Sequence, residues 1–420
     1  MPRPAKRCHH CGAPLTVEGG EPQITCQYCG TTNELERPAA ARTQPGPAKP
    51  GRGQIVLALA VAAAVAGVGA ASALLRRSPV GSSSLGQSVA QALSSTQQFP
   101  LNCGMNQELL IADRKFEGSG TLITADINCK VRIKNSTLKA DVILRASNLA
   151  TIELENSTLI GKEAAVLLGM NSKLFARGKS TLRGEESAVQ AGVNAELTLD
   201  DSTVEANEAA VRTEVNFKLH GNKSSIRGRE CAVRAGSNFE LTGRDLMVVG
   251  GRTAIEAEVN FKADLRGGSI EGSEHAIRTK GPNAHLKLTR AAKIKAKETA
   301  LGTGSNLHLE LDASSIEAAE VAIETDVNAE ISLLNKARIH GGKLGVKAGL
   351  NLELDLRGSS IESQGIAVCA PFNIEISARD STVSGSTDAF RFQRRPNELE
   401  LVNTNVVGKQ TFNGRGCSGQ

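Results

Sequence analysis

The stretch from Asn194 to Val215 reads N-A-E-L-T-L-D-D-S-T-V-E-A-N-E-A-A-V-R-T-E-V, and its pattern recurs from Asn106 to about Val407. Each repeat begins at a marker asparagine, and successive markers lie 20 to 24 residues apart. The markers are Asn106, Asn128, Asn148, Asn171, Asn194, Asn216, Asn238, Asn260, Asn283, Asn306, Asn328, Asn351, Asn373 and Asn397. A period of this length is the sequence signature of a solenoid.

Three short apolar patches recur in each repeat. The first alternates with polar residues, as at Leu197 and Leu199; the second is a single aliphatic residue such as Val204; the third is a pair such as Ala210 and Val211. Alternation with a period of two is typical of strands. Three strands and three turns in 22–23 residues predict one rung of a right-handed parallel β-helix. We expect an all-β rod of about thirteen rungs and, at ~4.8 Å per rung, about 60 Å of length.

In period and pattern, residues 101–410 resemble the pectate-lyase-type superfamily of right-handed parallel β-helices. The main alternative is a leucine-rich repeat, whose length range also includes 22 residues. The leucine-rich motif places its Asn after the strand, whereas here Asn precedes it and the third patch is Ala-Val rather than a helix face. The asparagine tolerates left-handed backbone angles at a turn, and stacked amides can hydrogen-bond from rung to rung.

The N-terminal segment carries a separate motif. Cys8-x-x-Cys11-Gly12 and Cys26-x-x-Cys29-Gly30 form two C-x-x-C-G knuckles. Four thiolates at this spacing are typical of a tetrahedral Zn²⁺ site, and the glycines permit the tight turns around the sulfurs. Residues 6–34 therefore resemble the zinc-ribbon family, which implies a closed, structural Zn²⁺ as the only cofactor. The alternative is a pair of disulfides, which a reducing compartment would not favour.

A membrane anchor is predicted between this motif and the repeats. Residues 55–75 form an uncharged run of 21 residues, enough for a helix to cross a bilayer. The alternatives are a buried helix of a soluble domain and a cleaved signal peptide. The run is longer than the apolar segment of a signal peptide and begins further from the N-terminus. Four basic residues precede the run from residue 37 onward, and only Arg76 and Arg77 follow it closely. This bias predicts a cytoplasmic N-terminus at the inner (cytoplasmic) membrane and a β-helix that is periplasmic or extracellular.

The chain thus divides into six parts. We expect a zinc ribbon at 1–36, a disordered linker at 37–54, a transmembrane helix at 55–75, a stalk and N-terminal cap at 76–100, the β-helix at 101–410 and a tail at 411–420. Within the cap, Leu85, Val89, Ala92 and Leu93 lie at helical spacing and predict a short amphipathic helix over the open end of the rod.

Charge limits the partners of the rod. The chain has 49 Lys/Arg and 44 Asp/Glu; nine basic and four acidic residues lie within the first 77, which leaves 40 of each sign in the remainder. Such a balance argues against nucleic acid as a partner of the β-helix. The five cysteines of the repeat region are consistent with export. Cys103 and Cys129 lie near adjacent rungs, Cys369 and Cys417 can pair if the tail folds back, and Cys231 is odd.

Candidate binding residues lie in columns down the repeat. Two residues after the marker, the sign of the charge alternates from Lys173 to Lys262, which fixes register through exposed pairs. The column then turns acidic at Glu330, Glu353 and Glu375.

Glu310 and Asp355 lie two positions further along on the same face as these glutamates. Stacked like charges are destabilising. Two explanations stay open. Either these five residues form a cation site or a docking patch for a basic partner, or their side chains splay into water beside compensating cations.

No catalytic residues are assigned. Glycosidases need paired carboxylates at a set separation, and the nearest candidates are Asp200 and Asp201, with Asn222, Lys223 and Arg244 on the next rungs. The surface carries few aromatic residues and no long inserted loops on which active sites usually lie.

We therefore expect a membrane-anchored, non-enzymatic scaffold or adhesion protein that presents its rod to envelope polysaccharide or protein. The alternatives are a carbohydrate-active lyase or hydrolase and a transmembrane signalling protein that docks through the zinc ribbon. The sequence leaves the oligomeric state open.

Overall fold

The computed structural model describes residues 98–414, 416 and 417, together with the backbone of three short strands before them. The chain forms two compact units, Met1–Ser84 and Leu85–Gln420. In the first unit, β1 (Gln23–Thr25) pairs antiparallel with β2 (Thr32–Glu34). In the second unit, the described residues are all-β and form a parallel β-solenoid of about 14 turns across residues 101–412.

The solenoid has three faces, which we label A, B and C in the order in which the chain meets them after each marker asparagine. Face A comprises β5 (Glu108–Ala112), β8 (Lys130–Lys134), β10 (Thr151–Glu155), β12 (Lys173–Arg177), β15 (Glu196–Asp200), the second halves of β17 (Ala209–Asn222), β19 (Cys231–Arg244) and β21 (Thr253–Arg266), then β24 (Ala284–Thr289), β27 (Leu307–Asp312), β30 (Asn328–Leu334), β33 (Asn351–Arg357), β36 (Ile374–Arg379) and β38 (Glu398–Val402).

Face B follows the turn after face A. It comprises β6 (Lys115–Glu117), the first halves of β9 (Thr137–Ala146) and β11 (Thr158–Leu168), β13 (Thr181–Gly184), β16 (Thr203–Ala206), β18 (Ser225–Gly228), β20 (Met247–Gly250), β22 (Ser269–Gly272), β25 (Lys293–Ala296), β28 (Ser315–Ala318), β31 (Arg338–Gly341), β34 (Ser360–Ser363), and the first halves of β37 (Thr382–Phe392) and β39 (Asn405–Phe412).

Face C completes each turn. It comprises β4 (Leu101–Cys103), β7 (Thr121–Ala125), β14 (Ser187–Ala191), β23 (His275–Thr279), β26 (Thr299–Thr303), β29 (Val321–Thr325), β32 (Leu344–Ala348), β35 (Ile366–Ala370), and the remaining halves of β9, β11, β17, β19, β21, β37 and β39.

Each strand pairs in parallel with its equivalent one repeat later, so equivalent residues stack in register. Leu197 aligns with Leu219 on face A, and Val204 aligns with Ile226 on face B. The predicted apolar patches form the core: Leu197, Val204 and Val211 are fully buried. Burial of three such side chains per turn, at roughly 1.5–3 kcal/mol each, stabilises the rod.

The predicted asparagine ladder is confirmed over most of the rod. Asn194 and Asn216 both have positive φ, 57° and 54°, and Asn216 Nδ2 donates to Asn194 Oδ1 at 2.8 Å. Nine such bonds join the markers from Asn171 to Asn373 without a break. The ladder is interrupted in the third turn, where Leu149 rather than Asn148 takes the left-handed position, with φ 61°.

A second ladder lies inside the turn between faces A and B, and the sequence did not reveal it. Buried serines stack there at Ser136, Ser157, Ser180, Ser202, Ser224, Ser314, Ser359 and Ser381. The Ser157 hydroxyl donates to Glu155 O at 2.8 Å and accepts from Ser136 N at 3.2 Å. Each such serine satisfies backbone groups that the turn would otherwise bury unpaired.

Two expectations need correction. The solenoid has about 14 turns rather than about thirteen, because Leu101–Cys103 on face C precedes the first marker and pairs with Ile123–Ala125. The predicted amphipathic cap helix is wrong at Ala90–Ala92. These three residues form strand β3, which pairs in parallel with Glu108–Leu110 and so occupies the open backbone edge of the first turn on face A.

Candidate binding surface on face A

The outward residues of face A form the alternating column that the repeat predicts. Lys173 aligns with Glu196, and their charged atoms lie 2.9 Å apart. Glu240 lies between Lys218 and Lys262, at 3.9 Å from each. The lysines are more than half exposed and their glutamate partners are 26–35% exposed. Because every pair remains in contact with solvent, each contributes only a few tenths of a kcal/mol and chiefly fixes the register. This half of the column is structural.

The second half of the column is acidic and in register. Glu330 aligns with Glu353, which aligns with Glu375. Glu375 in turn aligns with Glu398, which the sequence analysis missed because this glutamate follows its marker, Asn397, by one residue instead of two. We call Glu330, Glu353, Glu375 and Glu398 the acidic column.

A neighbouring column of face A carries two further carboxylates. Glu310 aligns with Ser332 and then with Asp355, as predicted. Glu310 is held by Lys287 at 2.7 Å, and Asp355 by Arg357 at 2.7 Å.

Only part of the acidic column has a basic side chain beside it. Glu330 has a partner, since its Oε2 lies 2.9 Å from His308 Nδ1. Among the described residues, Glu353, Glu375 and Glu398 have no basic side chain within ion-pair distance. The explanation that neighbouring Lys or Arg compensate the charge therefore holds for Glu310 and Asp355, while Glu330 has the His308 imidazole beside it.

A groove of about 480 Å³ runs along this column. One wall carries the amides of Asn306, Asn328, Asn351 and Asn373, and the other carries His308 and the carboxylates of Glu330, Glu353 and Glu375. The side-chain amides already hydrogen-bond to one another along the rod. The groove thus presents repeated polar groups on one side and negative charge on the other over four turns.

Two stacked histidines lie where the column changes character. The rings of His285 and His308 stack with centroids 4.5 Å apart. Burial lowers the pKa of His285, and the adjacent His308 and Lys262 lower it further, against weaker opposing effects of Glu310 and Glu330. Neutral imidazole is therefore favoured at His285.

A larger groove, of about 640 Å³, lies on face A nearer the N-terminal end of the solenoid. Asp200, Asn222 and Arg244 stack within it, and Asn222 Nδ2 donates to Asp200 Oδ1 at 2.6 Å. Asp201 and Lys223 instead line a different depression, at the turn toward face B. The two neighbouring aspartates do not converge on one groove, so the paired-carboxylate arrangement is not formed.

A second stack of glutamates lies at the corner between faces B and C, and the sequence analysis did not find it. Glu163, Glu186, Glu208 and Glu230 precede residues that pair in register, and all four are exposed. Glu208 contacts Arg212 in its own turn. This corner provides an internal control for any property that is claimed for the acidic column.

The cysteines of the solenoid behave as their positions suggested. Cys103 and Cys129 form a disulfide with Cα atoms 6.1 Å apart, and Cys369 and Cys417 form a second with Cα atoms 5.7 Å apart. Cys231 is free and buried, and burial raises the pKa of its thiol to about 11. Cys417 thereby packs against Leu344 and Ile366, on the side of face C.

Metal and membrane predictions fall mostly outside the described residues. The candidate zinc ligands Cys8, Cys11, Cys26 and Cys29 lie outside them, and so does the predicted span at 55–75. Within the described part of the chain, no group of three or more His, Cys, Asp or Glu side chains is arranged to hold a metal ion. That same part contains no helix that is long and apolar enough to cross a membrane.

Fold and surface together define a parallel β-solenoid with one charged face. Along this face the charges alternate in sign in the earlier turns and are uniformly negative in the later turns. No protein-family model, curated protein or solved structure matches the chain.

Proposed function

We propose that this chain is a membrane-anchored, non-enzymatic binding scaffold whose acidic column docks a basic partner. The observation that carries the proposal is the in-register stack of Glu330, Glu353, Glu375 and Glu398. The last three have no basic side chain within ion-pair distance among the described residues. Stacked like charges reduce stability, and a partner that brings cations to them recovers that energy on binding. Residues whose arrangement lowers the stability of a fold commonly have a functional role.

The geometry favours an extended basic partner over a single ion. A bound Ca²⁺ needs six to eight oxygens converging at 2.3–2.6 Å, whereas carboxylates on successive turns repeat at about 4.8 Å along the rod. Basic segments of an envelope protein, or amine-bearing envelope polysaccharide, match a linear array of this kind. The groove of about 480 Å³ beside the column accommodates such a chain along four turns.

In the same proposal, residues 55–75 anchor the rod in the inner membrane and the N-terminal module is a cytoplasmic zinc ribbon with structural Zn²⁺ on Cys8, Cys11, Cys26 and Cys29. The antiparallel pairing of β1 with β2 supports the ribbon, because Cys26 and Cys29 lie between these two strands in the sequence. The two disulfides support export of the rod, because disulfides persist in oxidising compartments. We assign the solenoid to the right-handed, pectate-lyase-like form.

The test is a titration of the full chain, in detergent, with a fluorescent oligolysine peptide. Glu353→Lys/Glu375→Lys is expected to weaken binding by at least about tenfold, since each exposed charge contributes up to ~1 kcal/mol and reversal counts twice. Glu186→Lys/Glu230→Lys, at the B–C corner, is the matched control with the same change of net charge. Equal loss in both variants would mean that net charge alone drives binding, which contradicts the proposal.

A carbohydrate-active enzyme is the second candidate, favoured by the groove of about 640 Å³ that contains Asp200 and Arg244. Its test is turnover of acidic polysaccharides by the full chain with and without Ca²⁺. Activity that Asp200→Asn abolishes would replace the scaffold proposal. A third candidate is signalling through the ribbon, for which chelator-sensitive capture of a cytoplasmic protein by the full chain is the expected result.

A further inference from the structure

Exposed apolar side chains are concentrated at one place on the solenoid. Among the described residues, seven large apolar side chains are exposed, and four of them are Met105, Ile127, Leu149 and Met170. They are 41–60% exposed and occur on four consecutive turns. Scattered exposed apolar residues need no explanation, but contiguous ones mark an interaction surface.

Backbone hydrogen bonds show that these four residues share one corner, between faces C and A. Asn106 N donates to Ile127 O at 3.2 Å, and Leu149 N donates to Met170 O at 2.9 Å. In three of the turns the apolar residue directly precedes the marker. In the third turn, Asn148 and Leu149 exchange these roles. We call these four residues the apolar ridge.

Leu149 gives the strongest indication that the ridge is functional. Its φ of 61° lies in the left-handed region, which costs an L-residue without a compact polar side chain roughly 1–2 kcal/mol. An asparagine at this position would relieve that strain and join the amide ladder between Asn128 and Asn171. The chain instead keeps a half-exposed leucine there. A strained, exposed apolar residue in a regular repeat points to a contact that the rod alone does not provide.

The position of the ridge in the chain indicates its occupant. The predicted membrane span ends at Leu75, so only 29 residues separate it from Met105. The first turns are therefore the part of the rod that the shortest length of chain joins to the proposed anchor. Beyond Met170 the equivalent residues become smaller and less exposed, at Val193 and Val215, and then polar at Ser237. Among the described residues, Leu350 is the one other large apolar side chain that is exposed at this corner, so a run on consecutive turns occurs in the first four turns.

We propose that the apolar ridge inserts into the lipid surface and holds the first four turns of the rod against the membrane. Arg145 is exposed, has no ion-pair partner among the described residues and lies four residues before Leu149, where it suits anionic headgroups; Asp126 lies beside Ile127. Shallow burial of a few apolar side chains at the headgroup level is a recognised mode of interfacial binding. The inference rests on the proposed membrane anchorage.

The chain contains no tryptophan, so a single introduced one reports on its surroundings. Ile127→Trp tests the ridge, and Leu350→Trp is the matched control, because Leu350 also precedes a marker and is 45% exposed, ten turns further along. The full chain is reconstituted into phosphatidylcholine–phosphatidylglycerol vesicles with brominated acyl chains. We expect quenching of Ile127→Trp to exceed that of Leu350→Trp by about threefold.

Equal quenching at the two positions overturns the proposal. The proposal is also overturned if the Ile127→Trp emission is blue-shifted without bromine quenching and the blue shift disappears when the protein is diluted with lipid. That result would assign the ridge to a contact with a second copy of the chain. Resistance to extraction by alkaline carbonate reports separately on the anchor. A failure of anchorage is therefore distinguishable from a failure of the ridge.

A second variant separates lipid contact from folding. Leu149→Asn is expected to raise the Tm of the full chain, because it relieves the left-handed leucine and completes the ladder, and at the same time to reduce the bromine quenching of Ile127→Trp. Leu350→Asn is the control and is expected to leave that quenching unchanged. Unchanged quenching in Leu149→Asn would contradict the proposal whatever happens to the Tm.

Discussion

His308 Nδ1 lies 2.9 Å from Glu330 Oε2, at the point where face A changes from alternating charge to uniform negative charge. On the other side of His308 the ring of His285 stacks at 4.5 Å, followed by Lys262 one turn further. The two imidazoles thus separate a cation from a carboxylate along one continuous column. We therefore expect the stability of the solenoid to depend on pH at this junction.

Acidification is expected to destabilise the solenoid through His285. Burial, His308 and Lys262 lower the pKa of this imidazole below 6.5, so the unfolded chain binds the proton more tightly. The free energy of unfolding therefore falls as the pH drops from 6.5 through the folded pKa. His285→Gln should show a smaller fall in Tm over this range than the wild type. An identical fall in both proteins would contradict the assignment.

The asparagine ladder is expected to be measurable at a single marker. Asn238 donates to Asn216 and accepts from Asn260, both at 2.7 Å, with its backbone at φ 58°. Asn238→Gly removes the hydrogen bonds and keeps the left-handed turn accessible, whereas Asn238→Ala also strains the backbone. We expect Asn238→Ala to lose about 1–3 kcal/mol of unfolding free energy in denaturant titrations, and Asn238→Gly to lose less.

Asn207→Ala is the control, because Asn207 is exposed and outside the ladder. If alanine and glycine at position 238 cost the same, the left-handed backbone has no energetic role at this marker.

Leu246 is the largest buried side chain that replaces a serine in the buried serine column, and a neighbouring glycine makes room for it. Leu246 occupies the place that serine holds in the preceding turn at Ser224, and a Cβ at Gly221 would lie 2.6 Å from the Leu246 side chain. Gly221→Ala is therefore expected to destabilise the chain by about 1–3 kcal/mol. Adding Leu246→Ser should recover part of that loss, and a double-mutant cycle of thermal unfolding measures the coupling. Strict additivity would show that the two residues do not compete for space.

The tail disulfide is expected to contribute to stability independently of the free thiol. Cys369 and Cys417 are 48 residues apart, and closing a loop of this size contributes about 2–4 kcal/mol. Cys417→Ser should lower the Tm, and it should expose Leu344 and Ile366 to a hydrophobic dye such as ANS. Cys231→Ser is the comparison, and reductant should still lower the Tm of that variant. A Tm that does not respond to reductant would contradict a structural role for the disulfides.

Sequence periodicity determines most of the fold, because parallel rungs place equivalent residues on top of one another. The register of Lys173 with Glu196 and of Glu353 with Glu375 follows directly from counting positions after the marker. Counting fails where the chain shifts by one residue. Leu149 replaces its marker in this way, and Glu398 follows its marker too closely to fit the rule.

Other features were hidden because their meaning depends on packing. A sequence pattern assigns the polar residues of the serine column to the surface. Ser157 is nevertheless buried, because its hydroxyl hydrogen-bonds to the backbone there. In the corner stack, Glu163 lies at the irregularity of β11 between Gly161 and Ala164, and Glu186, Glu208 and Glu230 lie at bends. At such positions the strand pattern carries no information on neighbours. The two aspartates at 200 and 201 separate because the chain turns a corner between them.

The central claim is that the acidic column is the docking surface of the rod. Site-specific photo-cross-linking in cells tests it most directly, with benzoylphenylalanine at Ser377, which is exposed beside Glu375 on face A, and at Ser384 on face B as the control. We expect a cross-linked partner at Ser377 that is absent from Ser384 and that disappears in Glu353→Lys/Glu375→Lys. Cross-linking at both positions alike, or at Ser377 in the charge-reversed variant, would contradict it.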